Sequence, residues 1–134
     1  MRQNKELVLV VDDDEDIREL LRVVLEADGY RVKVAVDGLD AWEQIHAGEL
    51  PALILLDLMM PRMDGEHFLK KLRRRCPEAV VIILSGHATA QKIADELKAD
   101  CCLTKPVELD DLLNAVKRFA FAHSRMQHDG LNSK

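Results

Sequence analysis

The chain has no apolar run long enough to cross a membrane. Its N-terminal run, Leu7-Val8-Leu9-Val10-Val11, is five residues long before Asp12 interrupts it, whereas a spanning helix needs about 20. Cysteine is scarce. Cys76, Cys101 and Cys102 are the three present, and they show neither metal-ligand spacing nor a secretory context. Neighbours on a strand point to opposite faces, so Cys101 and Cys102 are poorly placed to bridge each other. Reduced thiols in a cytoplasmic protein are the expectation. Positive charge is not in excess either: the net charge of -5 offers nucleic acid no electrostatic footing, and direct nucleic-acid binding is not expected. The one basic stretch, Lys70, Lys71, Arg73, Arg74 and Arg75, is expected to close a helix, its cations complementing the macrodipole and facing water. Internal repeats and low-complexity segments are also missing.

What remains is ordinary globular material. At 134 residues, with 48% hydrophobic and 32% charged residues, the chain fits one domain with its own core and argues against disorder. Residues 1–122 form that domain in this reading, and 123–134 read as a polar C-terminal tail.

Four short apolar runs each end in a polar residue. Leu7–Val11 leads into Asp12-Asp13, Leu53-Ile54-Leu55-Leu56 into Asp57, Val80-Val81-Ile82-Ile83-Leu84 into Ser85, and Cys101-Cys102-Leu103 into Thr104-Lys105-Pro106. Runs of this kind read as buried parallel strands. The alternating pattern of residues 31–36 adds another strand with one face partly wet. Between the strands lie helical patterns. One carries Ile17, Leu20, Leu21, Val24 and Leu25 inward and ends at Gly29. A second carries Leu39, Trp42 and Ile45 and is closed by Gly48 and Pro51. A third, opened by Gly65, carries Phe68, Leu69 and Leu72. A weaker one spans residues 89–98 with Ile93, Ala94 and Leu97, and a last one carries Leu109, Leu112, Leu113, Val116 and Phe119. Five βα units with right-handed crossovers predict a three-layer α/β sandwich around a parallel sheet.

Ligands of open parallel sheets sit outside the carboxyl ends of the strands. Asp12, Asp13, Asp57, Ser85 and Lys105 should therefore meet at one edge. Taken singly, each has a plainer reading: Asp57 a turn former, Ser85 a loop residue, Lys105 a solvated lysine. Helix capping accounts for one or two of the five acids at 12–16, such as Asp14 and Asp16, but not for a pair where a buried strand ends. Packed carboxylates call for a cation, and Mg²⁺ suits phosphate chemistry best. An EF-hand is excluded because Ile17 occupies the glycine position of its loop. A carboxylate can attack phosphorus to form an aspartyl phosphate, given a metal and donors for the equatorial oxygens. Gly86 would let a backbone N–H approach a phosphoryl oxygen, and the Lys105-Pro106 bond is a candidate cis peptide. The five histidines, His87 included, lack ligand spacing.

The segments Val8-Leu9-Val10-Val11-Asp12-Asp13, Leu55-Leu56-Asp57-Leu58-Met59-Met60-Pro61-Arg62-Met63-Asp64-Gly65, Ile83-Leu84-Ser85-Gly86-His87 and Leu103-Thr104-Lys105-Pro106 resemble those of response-regulator receiver domains, across residues 6–121. The resemblance implies a flavodoxin-like sandwich with strand order 2-1-3-4-5 and five helices. It implies that Asp57 accepts a phosphoryl group from a sensor histidine kinase or histidine phosphotransfer protein. Asp13 and Asp57 would bind Mg²⁺ directly, Asp12 through water, with the Met59 carbonyl completing the protein ligands. Ser85, Lys105 and the backbone N–H groups of Met59 and Gly86 would hold phosphoryl oxygens, and Pro61 and Gly65 would shape the loop after the acceptor. On this reading the chain is a signalling phosphoprotein that promotes its own phosphorylation and dephosphorylation, not an enzyme with a separate substrate. It would pass its state to a downstream protein through a changed surface, expected within residues 85–98. Two positions depart from the family pattern: Cys102, three before the lysine, and Val107, just after Lys105-Pro106, replace aromatic residues. An aspartate-nucleophile hydrolase of the haloacid-dehalogenase kind is the competing reading, since Asp12 and Asp14 imitate its first motif. It leaves Asp57 without a role. A flavodoxin-like mononucleotide binder is rejected, because the acidic run would repel phosphate.

Overall fold

Five strands, β1 (Leu7–Val11), β2 (Arg31–Ala35), β3 (Leu53–Asp57), β4 (Val81–Ser85) and β5 (Cys101–Thr104), alternate with five helices. These are α1 (Glu15–Ala27), α2 (Gly38–Ala47), α3 (Gly65–Arg75), α4 (Ala90–Glu96) and α5 (Leu109–Asn132). The computed structural model describes residues 6–58, 64–86 and 90–132. All neighbouring strands pair in parallel, in the order β2-β1-β3-β4-β5, as the resemblance implied. The central strands β1, β3 and β4 are buried along their whole length, which is what uninterrupted aliphatic runs require. The edge strand β2 keeps Arg31 and Lys33 exposed.

The two-residue period of a strand sorts its side chains into two cores. Leu9, Val11, Ile54, Leu56 and Ile83 face Phe68, Leu69 and Leu72 of α3, together with Ala41 of α2 and Ala94 of α4. Val8, Val10, Leu53, Leu55 and Ile82 face Leu21 and Leu25 of α1 and Leu112 and Val116 of α5. Helices α2, α3 and α4 thus cover one face and α1 and α5 the other. Three helices start on aspartate caps: the Asp14, Asp37 and Asp64 carboxylates accept backbone N–H groups of the first turn. Gly29, at φ 99°, follows α1 in the left-handed conformation that glycine adopts most easily.

Several local expectations need correction. Leu20 and Leu109, read as inward, are 49% and 38% exposed, because each lies on the wall of an open cleft between α1 and the segment after β5. Arg73 does not face water with the rest of the basic stretch. It lies one turn after Leu69, beside the buried face of α3, and donates to backbone carbonyls. Lys71 lies over the Trp42 ring, 4.7 Å from its centroid. Helix α4 is shorter than residues 89–98: it ends at Glu96, and Lys98 then takes a left-handed φ of 58°, while Thr89 falls outside the described residues. Helix α5 continues to Asn132, past the point at His123 where composition turns polar. That stretch contains no proline, and Arg125, Met126 and Gln127 are good helix formers.

Candidate functional site

Sheet register brings the site together. Val11 pairs with Leu56, Asp57 with Leu84, and Ser85 with Thr104. Asp12, Asp57, Ser85 and Lys105 therefore occupy the carboxyl ends of adjacent strands. Strands β3 and β4 each extend one residue beyond their aliphatic runs, so Asp57 and Ser85 are held by the ladder itself.

The carboxylates of Asp12, Asp13 and Asp57 each offer an oxygen within 4.8 Å of the others. These hard anionic donors fit the chemistry of Mg²⁺, which takes few carboxylates and keeps several waters. Asp12 and Asp57 are only 2% and 7% exposed, while Asp13 faces solvent. Asp12 is held from four sides. Its N–H donates to the Ala35 carbonyl (3.2 Å), and its carbonyl accepts from Arg18 Nη1 (2.8 Å). Oδ1 accepts the Asp14 N–H (2.9 Å), and Oδ2 accepts from Lys105 Nζ (3.2 Å). With both carboxylate oxygens already engaged by protein donors, Asp12 suits an outer role at a metal better than Asp13 does.

Lys105 sits between the acids, its Nζ 3.2 Å from Asp12 Oδ2 and 3.6 Å from Asp57 Oδ2. Burial alone would push this ammonium's pKa down. The attraction of Asp12 and then Asp57 together outweighs it, and the pKa lies above the ordinary lysine value. The Lys105 N–H donates to the Ser85 carbonyl (3.1 Å), tying the two donor residues together through backbone, and Lys105-Pro106 is cis. Ser85 is 2% exposed, and Gly86 beyond it is open to solvent.

Gly65 sets how closely α3 approaches β3. Its N–H donates to the Leu58 carbonyl (3.0 Å). A Cβ placed there would stand 2.5 Å from both the Asp57 carbonyl oxygen and Leu58 Cα. Glycine at the start of α3 is therefore a steric requirement of the backbone carrying Asp57.

All five expected side chains that bear on the site thus meet at one edge. Met59 and Pro61, with their expected roles, lie outside the described residues, as does His87. Residue-by-residue reading missed Arg18, whose support of Asp12 comes from the first turns of α1 with no motif to announce it. It also missed the cleft of about 440 Å³ beside Lys105, walled by Ile17, Leu20, Leu84, Pro106, Val107 and Leu109. The small Val107, already noted as a departure from an aromatic, was the available signal. Cys101 and Cys102 pack toward opposite cores, and all three cysteines are free. Burial is the main cause of the raised pKa of both strand thiols.

Comparison with known proteins agrees with this geometry. Residues 8–117 match the family model of the response regulator receiver domain. The response regulator MprA of Mycobacterium ulcerans is 36% identical over 124 residues, covering 91% of this chain and 53% of its own length. The chain thus spans about half the length of the curated relatives it matches. A CheY-like receiver domain protein from Methanospirillum hungatei superposes with a TM-score of 0.85 at 28% identity, covering 92% of this chain and 99% of that one. The response regulator TrrA of Thermotoga maritima, solved in complex with Mg²⁺ and BeF, gives 0.78 at 30% identity, covering 85% and 98%.

Proposed function

Because this chain belongs to the response-regulator receiver family of two-component signalling proteins, we propose that Asp57 is its phosphoacceptor in a Mg²⁺-dependent reaction with a phosphohistidine donor. The observation that carries the reading is the gathering of three carboxylates within 4.8 Å around an ammonium that touches two of them. An Asp57 carboxylate oxygen attacks phosphorus; a P–O bond forms as the P–N bond of the donor breaks, and the histidine nitrogen leaves. Asp13 and Asp57 would hold the metal directly and Asp12 through water, and the Met59 carbonyl, outside the described residues, would be a further ligand. When bound, Mg²⁺ neutralises charge on the transferring group. Lys105, poised between Asp12 and Asp57, meets one phosphoryl oxygen; the Ser85 hydroxyl and the backbone N–H groups of Met59 and Gly86 meet the others. TrrA in complex with Mg²⁺ and BeF supports the metal assignment by analogy.

The donor is a sensor histidine kinase or histidine phosphotransfer protein, and the output is a changed surface for a protein partner within residues 85–98. Among the described residues no helix is long and apolar enough to cross a membrane. Incubation with Mg²⁺ and acetyl phosphate, or with a phosphohistidine donor should small donors be excluded, is expected to add one phosphoryl group. Asp57→Asn should abolish it; uptake by that variant at an unchanged rate on the same peptide refutes the assignment.

A further inference from the structure

Arg73 is a half-buried cation that the proposed chemistry leaves unused. Its guanidinium fork presents rigid, directional donors, and here they join two loops at the edge of the sheet opposite the site. Nε donates to the Leu97 carbonyl (2.9 Å) and Nη2 to the Lys98 carbonyl (2.9 Å), both just after α4. Nη1 donates to the Ala79 carbonyl (2.8 Å), just before β4. The Asp100 carboxylate lies 4.0 Å from Nη2 and also accepts the Val81 N–H (2.9 Å), while the Asp100 N–H donates to the Val81 carbonyl (2.8 Å). The end of α4 is thus fastened to α3 and to the beginning of β4. The other end of α4 is held differently. Its first residue there, Ala90, buries only a methyl group, and the helix starts five residues after Ser85 in sequence.

We propose that Arg73 is a positioning residue that anchors the C-terminal end of α4, so that a change at Ser85 swings α4 about residues 97–100 and does not displace it bodily. The inference rests on the phosphoacceptor reading for the stimulus, but the anchor is a property of the resting protein. Lys98 suits a pivot: its left-handed φ turns the chain sharply, and the Arg73 bond to its carbonyl holds that turn. The side chains Ile93 and Leu97 pack against the α2–α3–α4 core and add apolar weight to the same end.

Hydrogen exchange of the full chain tests this, with the amides of Leu97, Ala99 and Asp100 as reporters, since each is hydrogen-bonded at the anchored end. Without ligand, Arg73→Gln should speed exchange of these amides at least tenfold while leaving those of β1 and β3 unchanged. Arg73→Lys keeps the charge but loses the fork, and should give the same pattern in milder form. In the wild type, Mg²⁺ with beryllofluoride should alter exchange most at Ala90, progressively less along α4, and not at Ala99 or Asp100. An equal response from Ala90 to Asp100, or unchanged exchange of the 97–100 reporters in both variants, overturns the anchor. No response at the Asp57 peptide overturns the phosphoacceptor reading instead, and the ligand-free comparison then decides on the anchor alone.

Discussion

Replacing Gly65 with alanine is the sharpest test of how this fold places Asp57, the proposed acceptor. The new Cβ would lie 2.5 Å from the Asp57 carbonyl oxygen and from Leu58 Cα, where ordinary contact begins at 3.4 Å. Both obstacles are backbone, so β3 and α3 must separate by nearly an ångström. Overpacking of this kind costs about 1–3 kcal/mol, and the clash here belongs near the upper end. Alanine's helix propensity returns up to ~1 kcal/mol in a helix interior, less at the first turn. The expected net loss is about 2 kcal/mol, read as a lower urea midpoint at unchanged slope. Misplacement of a reacting group by about 1 Å costs roughly 100-fold in rate, so phosphorylation with acetyl phosphate and Mg²⁺ should fall by about 10- to 100-fold. Gly86→Ala is the matched control: its Cβ would meet Lys105 no closer than 3.9 Å, and stability should stay within about 0.5 kcal/mol. A Gly65→Ala protein as stable as the wild type and phosphorylated at the same rate would refute the claim that this close approach positions Asp57.

Asp13 is solvent-facing and a hard anionic ligand, so Asp13→Ala should weaken Mg²⁺ binding at least tenfold in a direct titration with the fold intact; an unchanged titration would sink the metal site. Lys105→Met leaves Asp12 and Asp57 facing each other without a cation, and should destabilise the protein more in EDTA than in saturating Mg²⁺, a difference that denaturation under the two conditions reads directly. The wild-type pKa of Lys105 is raised in the fold, so its contribution is complete below the unfolded value of about 10.5 and is lost as pH rises through the folded value; Lys105→Met should lack that alkaline decline. Asp14 accepts the N–H groups of Asp16 and Ile17 as the cap of α1, so Asp14→Ala should cost ~1 kcal/mol in denaturation while leaving the phosphorylation rate nearly unchanged.

Much of the molecule follows from local pattern. Continuous aliphatic runs such as Leu53-Ile54-Leu55-Leu56 leave a strand no exposed face, so they demand helices on both sides of a parallel sheet. Aspartates before helical patterns cap them as their chemistry requires. The polar residues ending those runs, Asp12, Asp57 and Ser85, could be placed at one edge because parallel strands all point the same way. Sequence alone therefore determined the fold class and which polar residues share one edge of the sheet. Tertiary structure decided what depends on distance between separate elements. Register set the 3.2 and 3.6 Å contacts of Lys105 with two acids more than forty residues apart in the chain. The approach of α3 to β3 made Gly65 obligatory. Helical periodicity assigned Leu20 and Leu109 inward, yet a face angle cannot report whether a neighbouring element reaches that face, and here a cleft intervenes. Arg73 carries the same lesson in reverse. A charged residue beside a buried helix face reads as solvated until another loop brings carbonyls to it, because its partners at Ala79, Leu97 and Lys98 are backbone groups with no side-chain signature to read.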